Sequence, residues 1–270
     1  MTGIEIIRPP GGRKPRAAVF DFDGTLSLIR TGWQDVMIPM MVEHLRPLAP
    51  GLTPERLRAM IAEDVAKTTG MLTIVQMMGL AEQVSKFGGR PLDPKAYKAE
   101  YKRRLLAHIA ARRTALAQRS VATDSLLLAG SRALLESLAA RGLTLCLASG
   151  TDEPEVREEA GLLDITMYFG ADIYGALDDY EASSKKHVLA RLMARLGAAG
   201  NEVVIFGDGF VEIENAKEAG AYAVGVATDE AARSGRVDAW KRERLLGAGA
   251  DLIIPDFACH KELTALLLGP

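Results

Sequence analysis

Four short stretches of the chain combine residue types at spacings that can do chemistry. In Asp21-Phe22-Asp23-Gly24-Thr25-Leu26 the two acids stand two residues apart. An extended backbone points both carboxylates to one side, and the glycine after them permits a sharp turn. Carboxylates that close repel unless a cation or a proton sits between them. Alone, this stretch also reads as an Asp-Gly turn that ends a strand. Ser149-Gly150-Thr151 offers a hydroxyl and free backbone N–H groups that can hold phosphate oxygens, besides the plainer role of a helix cap at Thr151 or Asp152. Lys185 and Lys186 open a helical stretch, where cations oppose the helix dipole and need a reason to be. Gly207-Asp208-Gly209-Phe210-Val211-Glu212 places one acid at a strand end and a second one helical turn later. Asp208 beside Asp21 and Asp23 makes an all-oxygen donor set of the octahedral kind that Mg²⁺ prefers.

Each stretch falls at the end of a predicted strand or the start of the next helix. Short apolar runs bounded by Gly, Asp or Pro predict strands at 17–20, 143–148, 202–206, 222–226 and 251–254, with a weaker candidate near 166–169. Helical periodicity predicts helices at 126–141, 153–160, 185–196, 211–219 and 237–246. Such alternation predicts an α/β fold, a Rossmann-like, mostly parallel sheet with helices on both faces.

Residues 28–120 break the alternation. They carry almost no β-branched runs and read as several helices separated by Pro39, the 47–54 segment, Gly79, Gly88-Gly89 and the 91–94 segment. A structureless loop of that length is implausible, so an inserted α-helical cap domain is expected at 28–120, within a core domain formed by 1–27 and 121–270. Because it leaves the C-terminal end of the first core strand, it is expected over the site. Its 95–119 segment holds eight Lys/Arg and one acid, Glu100, a local charge of +7 against −9 elsewhere. A helix with Tyr97, Tyr101, Leu105 and Ile109 on one stripe turns many of these cations outward. A solvated face is the preferred reading, and steering of an anionic substrate the sharper one.

The whole chain has 270 residues, with 33 Lys+Arg against 35 Asp+Glu and a net charge of −2. That balance argues against nucleic acid as a partner, which demands an excess of cations. Cys146 and Cys259 form neither a disulfide framework nor zinc spacing, and the four histidines have no mutual spacing that suggests a metal site. The N-terminus lacks a signal-peptide apolar core and no run of 18 apolar residues occurs, so a soluble, cytoplasmic protein without membrane partners is expected. Oligomeric state is left open.

The four stretches together, in this order and each beside a strand, resemble the haloacid dehalogenase-like superfamily over 17–27 and about 121–257. The resemblance implies that Asp21 is the nucleophile forming an aspartyl-phosphate, and that Asp23 protonates the leaving oxygen and then activates water. It implies that Ser149, Gly150 and Lys185 bind the phosphoryl group. Mg²⁺ would be held by Asp21, Asp23 and Asp208, with Glu212 either a direct ligand or an orienter of its waters. Two points depart from the family pattern. Glu212 stands where many relatives have Asp, and Ser183-Ser184-Lys185-Lys186-His187 offers neighbouring lysines, of which Lys185 is favoured.

The second acid, Asp23, points away from dehalogenase and phosphonate chemistry. The expectation is a Mg²⁺-dependent phosphatase for a small phosphorylated metabolite, a sugar phosphate or phosphoglycolate-like acid. The alternatives are a sugar phosphomutase of the same superfamily, or a binding or regulatory module without turnover. In the insert, Thr69, Thr73 and Gln76 have the spacing of a helix N-terminus pointing at substrate hydroxyls, or of a capped helix whose Met neighbours are core. Arg30, Trp33 and Gln34, near the entry to the insert, are further substrate candidates.

Overall fold

The computed structural model describes residues 3–177 and 184–269, so Ser183 lies outside the described residues. Along the chain, β1 (Glu5–Ile6) and β2 (Ala17–Phe20) precede a helical run of α1 (Gln34–Leu45), α2 (Pro54–Lys67), α3 (Thr73–Lys86) and α4 (Pro94–Ala117). Then come α5 (Ser131–Ala140), β3 (Thr144–Asp152), α6 (Glu153–Leu162), the short α7 (Thr166–Phe169) and β4 (Ile173–Ala176). The chain ends with α8 (Lys185–Leu196), β5 (Val203–Gly207), α9 (Phe210–Glu218), β6 (Tyr222–Val226), α10 (Ala239–Gly247), β7 (Leu252–Ile254) and α11 (His260–Leu268). Among the described residues no helix is long and apolar enough to cross a membrane.

The strands form one sheet in the order β1-β7-β6-β5-β2-β3-β4, parallel except for β1, which runs antiparallel to β7 at the edge. Strand order reverses at β2, which pairs with β3 on one side and β5 on the other. Such a reversal opens a crevice beyond the strand ends, the usual ligand position in open α/β sheets.

Period-two alternation explains why β2 is apolar throughout, since both its faces are covered. Ala17 and Val19 join a cluster with Cys146, Val188, Leu189, Leu192, Ile205 and Ile213. Phe20, on the opposite face, stacks on Phe206 at 4.6 Å, and both meet Phe257 edge-on. Burying each such ring contributes about 1.5–3 kcal/mol. These layers fix the β2 and β5 ends from which the acids project.

The sequence expectation differs from the structure at the weak strand candidate. Residues Thr166–Phe169 form α7, and the strand beside β3 is Ile173–Ala176. Phe169 serves the core as a ring packed edge-on against Phe20, which a helical turn allows as well as a strand. The pairing of β1 with β7 and the terminal helix α11 add to the elements expected from the sequence.

By internal contacts the chain divides into an α/β unit, Met1–Thr31 with Arg113–Pro270, and a helical unit, Gly32–Arg112. The helical unit is thus narrower than the 28–120 read from sequence. Leu28 explains part of the difference, because its N–H donates to Leu126 O within the α/β unit. Pro39 does not separate helices but lies inside α1, where buried Met37, Ile38, Met40 and Met41 outweigh the lost hydrogen bond. Gly79 likewise lies inside α3, which is held by buried Met77, Leu80 and Val84. In α4, Tyr97, Tyr101, Leu105 and Ile109 are buried as one stripe, and Arg104 reaches Glu43 and Glu100.

Candidate active site

The backbone leaving β2 keeps the sheet's pattern for one more residue, since Asp21 N–H donates to Phe206 O at 2.9 Å. It then turns sharply, with the N–H groups of Thr25, Leu26 and Ser27 all directed at Phe22 O. Gly24 carries the turn at φ +78°. Any side chain there meets a second obstacle, because a Cβ would stand 2.5 Å from Asp208 Oδ2 and 2.9 Å from Glu230 Oε1. Gly24→Ala is therefore expected to cost about 1–3 kcal/mol of stability through a strained φ. It should also displace Asp208. Denaturant unfolding together with steady-state assays would check both effects; an unchanged midpoint with unchanged activity would reject this reading.

The turn draws the acids together. Thr25, fully buried, accepts from Asp208 N–H at 3.1 Å, and its hydroxyl oxygen stands 3.4 Å from Asp21 Oδ2 and 3.5 Å from Asp208 Oδ1. One hydroxyl thus ties the end of β2 to the end of β5. Asp23 points to β3 instead. Its Oδ2 accepts from Thr151 Oγ1 at 2.8 Å and from Ser149 Oγ at 3.4 Å, and its buried Oδ1 lies 3.7 Å from Arg30 Nε. Arg30 grips the fully buried Glu159 with two hydrogen bonds of 2.9 and 2.8 Å. It acts within the α/β unit as the cation between Asp23 and Glu159. Gly150 lies in the extension of β3, which runs on to Asp152 with a register shift against β4 rather than stopping at Ala148.

Lys185 is the first residue of α8, capped by Ser184, whose Oγ accepts from His187 N–H. Its ammonium donates to Asp21 Oδ1 at 2.6 Å and, by a short contact, to Glu212 Oε1. All three side chains are at least nine-tenths buried. Lys186 points elsewhere and pairs with Glu218 on the exposed surface. Glu212 can fold back toward Lys185 because Gly207 has no side chain; a Cβ there would stand 2.6 Å from Glu212 Cβ and Cγ.

Electrostatics follow from this crowding. Burial pushes the Asp21 carboxyl well above the usual carboxylate range; Lys185 opposes that rise, and Glu212 and Asp208 reinforce it. Burial disfavours the Lys185 ammonium, but Asp21 and Glu212 outweigh it and hold the lysine cationic. A second buried lysine, Lys241, does the same for Asp208 and Glu230, at 2.7 Å from each. Burial works against its charge too, and the two carboxylates more than compensate. Neither Lys241 nor Glu230 was singled out by the sequence. Nor were Thr25, Thr151 as a partner of Asp23, or Glu159.

The donor chemistry suits a hard divalent cation. Asp21 and Asp208 converge around Thr25 with more carboxylate than ammonium nearby, and Glu212 Oε2 is buried without a partner. Among the described residues no three His, Cys, Asp or Glu side chains make a ready metal cage. Mg²⁺ does not need one, since it is typically bound by one or two carboxylates plus waters and substrate phosphates.

Thr69, Thr73 and Gln76 belong to the helical unit. Thr73 opens α3. Thr69 Oγ1 bonds back to Val65 O at 3.2 Å, and the buried Gln76 directs its amide at Thr68, 3.4 Å from the hydroxyl.

No curated protein sequence matches the chain. Solved structures do. A predicted phosphoglycolate phosphatase from Haemophilus somnus 129pt is 17% identical, with a TM-score of 0.58, over 93% of this chain and 98% of that one. A predicted phosphatase from Clostridium acetobutylicum is 18% identical at the same TM-score and the same coverage. A HAD family hydrolase from Deinococcus radiodurans R1, with bound phosphate and sodium, is 19% identical with a TM-score of 0.55, over 94% of this chain and 96% of that one. These likenesses speak for the fold. The family model for haloacid dehalogenase-like hydrolase matches residues 15–220, from ahead of β2 to beyond α9, a stretch that takes in Asp21, Asp23, Ser149, Lys185, Asp208 and Glu212. With three quarters of its length matched by that model, the chain belongs to the haloacid dehalogenase-like hydrolases.

Proposed function

We propose that the protein is a Mg²⁺-dependent phosphatase that hydrolyses a small phosphorylated metabolite, a sugar phosphate or phosphoglycolate-like acid, through a phosphorylated Asp21. The observation that carries this reading is the buried Lys185 ammonium held between Asp21 and Glu212, beside an Asp23 held from β3. Phosphoryl transfer asks a protein mainly for positioning and charge neutralisation. Structural likeness to two predicted phosphatases supports it.

In this reading Asp21 attacks phosphorus with one carboxylate oxygen while Lys185 holds its partner oxygen and neutralises the transferring group. Ser149 and the Gly150 backbone bind phosphoryl oxygens. Asp23, oriented by Thr151 and flanked by Arg30, protonates the leaving oxygen and then takes a proton from the attacking water. Asp21, Asp208 and the Asp23 backbone carbonyl would hold Mg²⁺. The ion, when bound, supplies charge stabilisation to the phosphoryl oxygens. Glu212, whose Oε1 is engaged by Lys185 and whose Oε2 is buried without a partner, would orient the water ligands of the ion. For the helical segment 28–120 we assign the role of a cap, with Thr69, Thr73 and Gln76 as candidates for substrate selectivity.

The test is phosphate release from a panel of sugar phosphates, nucleotides and short phospho-acids, with Mg²⁺ and with chelator. Release is expected for at least one small ester and should fall about a hundredfold or more on chelation. Product isomers formed from a sugar phosphate with a bisphosphate primer, and no free phosphate, would replace the phosphatase by a phosphomutase. No turnover of any ester would remove the enzymatic reading of the site.

A further inference from the structure

Lys241 and Glu230 lie beyond residues 15–220, outside what the family model recognises. They nevertheless close one side of the acidic cluster. Lys241 is the third residue of α10, where Asp238 caps the helix and accepts from Lys241 N–H at 2.8 Å. A cation in a first helical turn opposes the dipole, so the placement is unfavourable unless something compensates. The compensation is two carboxylates, Asp208 Oδ2 and Glu230 Oε1, each 2.7 Å from the ammonium. The side chains of Lys241, Asp208 and Glu230 are 13%, 10% and 18% exposed, so the charges meet away from bulk water. Both acid oxygens also crowd the point where a Cβ on Gly24 would sit, which puts Glu230 directly beside Asp208 at the turn that follows β2.

We propose that Lys241 is a metal-selectivity residue: its ammonium takes up Glu230 and one oxygen of Asp208, and so keeps the number of carboxylate donors offered to a divalent cation low. This rests on the Mg²⁺ reading above. A low donor count suits Mg²⁺, which keeps several waters and demands near-ideal octahedral geometry. Ca²⁺ takes six to eight oxygens in flexible geometry, and its affinity rises with the charge count of its ligands. Releasing Glu230 therefore adds a ligand that Ca²⁺ uses well and Mg²⁺ uses poorly. A lysine that merely docked α10 would not discriminate between the two ions.

The experiment is calorimetric titration of the full-length protein with MgCl₂ and, separately, CaCl₂, for wild type, Lys241→Met and Lys241→Met/Glu230→Gln. Lys241→Met is expected to raise Ca²⁺ affinity about tenfold or more, with a clearly smaller gain for Mg²⁺, because the added carboxylate favours the larger ion. The double variant should return the Ca²⁺-to-Mg²⁺ ratio toward the wild-type value. Lys241→Gln carries the same expectation where the methionine variant does not fold. A ratio that ignores Lys241, or that Glu230→Gln fails to restore, overturns this inference while leaving the Mg²⁺ reading intact. Absence of binding of either ion to the wild type overturns the Mg²⁺ reading and this inference with it.

Discussion

Asp21→Asn is expected to lower kcat for phosphate release by at least about ten-thousandfold, or about 5 kcal/mol of barrier, because it replaces the anionic carboxylate that attacks phosphorus by a neutral, poorly nucleophilic amide. The substitution keeps the shape of the side chain. Thr25 and the Asp21 N–H bond to Phe206 O lose little by it. Burial already disfavours the Asp21 charge, so its removal relieves desolvation at the same time as it takes one partner from Lys185, which retains Glu212. These effects oppose each other, and the thermal midpoint should move by only a few degrees. An acyl phosphate trapped during turnover with wild type and missing in Asp21→Asn would tie the loss to the nucleophile. Residual activity within tenfold of wild type would sink the assignment.

What the residues disclosed in advance is unevenly distributed, and the physical reason is range. Asp21, Asp23, Ser149, Lys185, Asp208 and Glu212 sit within a few residues of strand or helix ends, so local spacing and the apolar runs beside them are enough to place them. The same holds for β2, β3, β5 and β6, whose two covered faces make unbroken apolar runs. Strand β4 was obscured because it is four residues long and contains Gly175, which a side chain could not replace: a Cβ there would lie 2.5 Å from Glu153 Cα. Lys241 left the same trace as Lys185, a cation in a first helical turn. It stands amid Trp240-Lys241-Arg242-Glu243-Arg244, where neighbouring charges give no local sign that one cation is set apart. Only the distant Asp208 and Glu230 give it a reason to be buried, and no local pattern carries them. Pro39 misled for the opposite cause, a strong local signal overridden by the packing of its neighbours.

Lys185→Met is the second large effect, and it reads on stability as well as activity. The ammonium is held by Asp21 and Glu212 in a site where all three side chains are at least nine-tenths buried. Removing it leaves two buried acids without their cation, a change that typically costs about 3–5 kcal/mol. The cost should depend on pH. Burial pushes the Asp21 carboxyl above the usual carboxylate range and Lys185 opposes that rise, so the folded variant, lacking the lysine, binds a proton more readily than either folded wild type or the unfolded chain. A raised carboxyl pKa makes stability fall as pH rises through the unfolded value toward the folded one. The gap between wild type and Lys185→Met should therefore be wider at pH 8 than at pH 5. Adding Glu212→Gln should recover part of the stability by removing one uncompensated acid, without recovering activity, which is expected to fall about a hundredfold or more with the loss of charge neutralisation at phosphorus. Lys186→Met is the control. Its partner Glu218 and its own side chain are more than half exposed, and such surface pairs contribute about 0–1 kcal/mol. Denaturant unfolding of these variants at both pH values, with phosphate release measured on the same samples, separates the neighbouring lysines. A Lys186 variant as damaged as the Lys185 variant would place the essential cation at the wrong residue, and with it the geometry that joins Asp21 to Glu212.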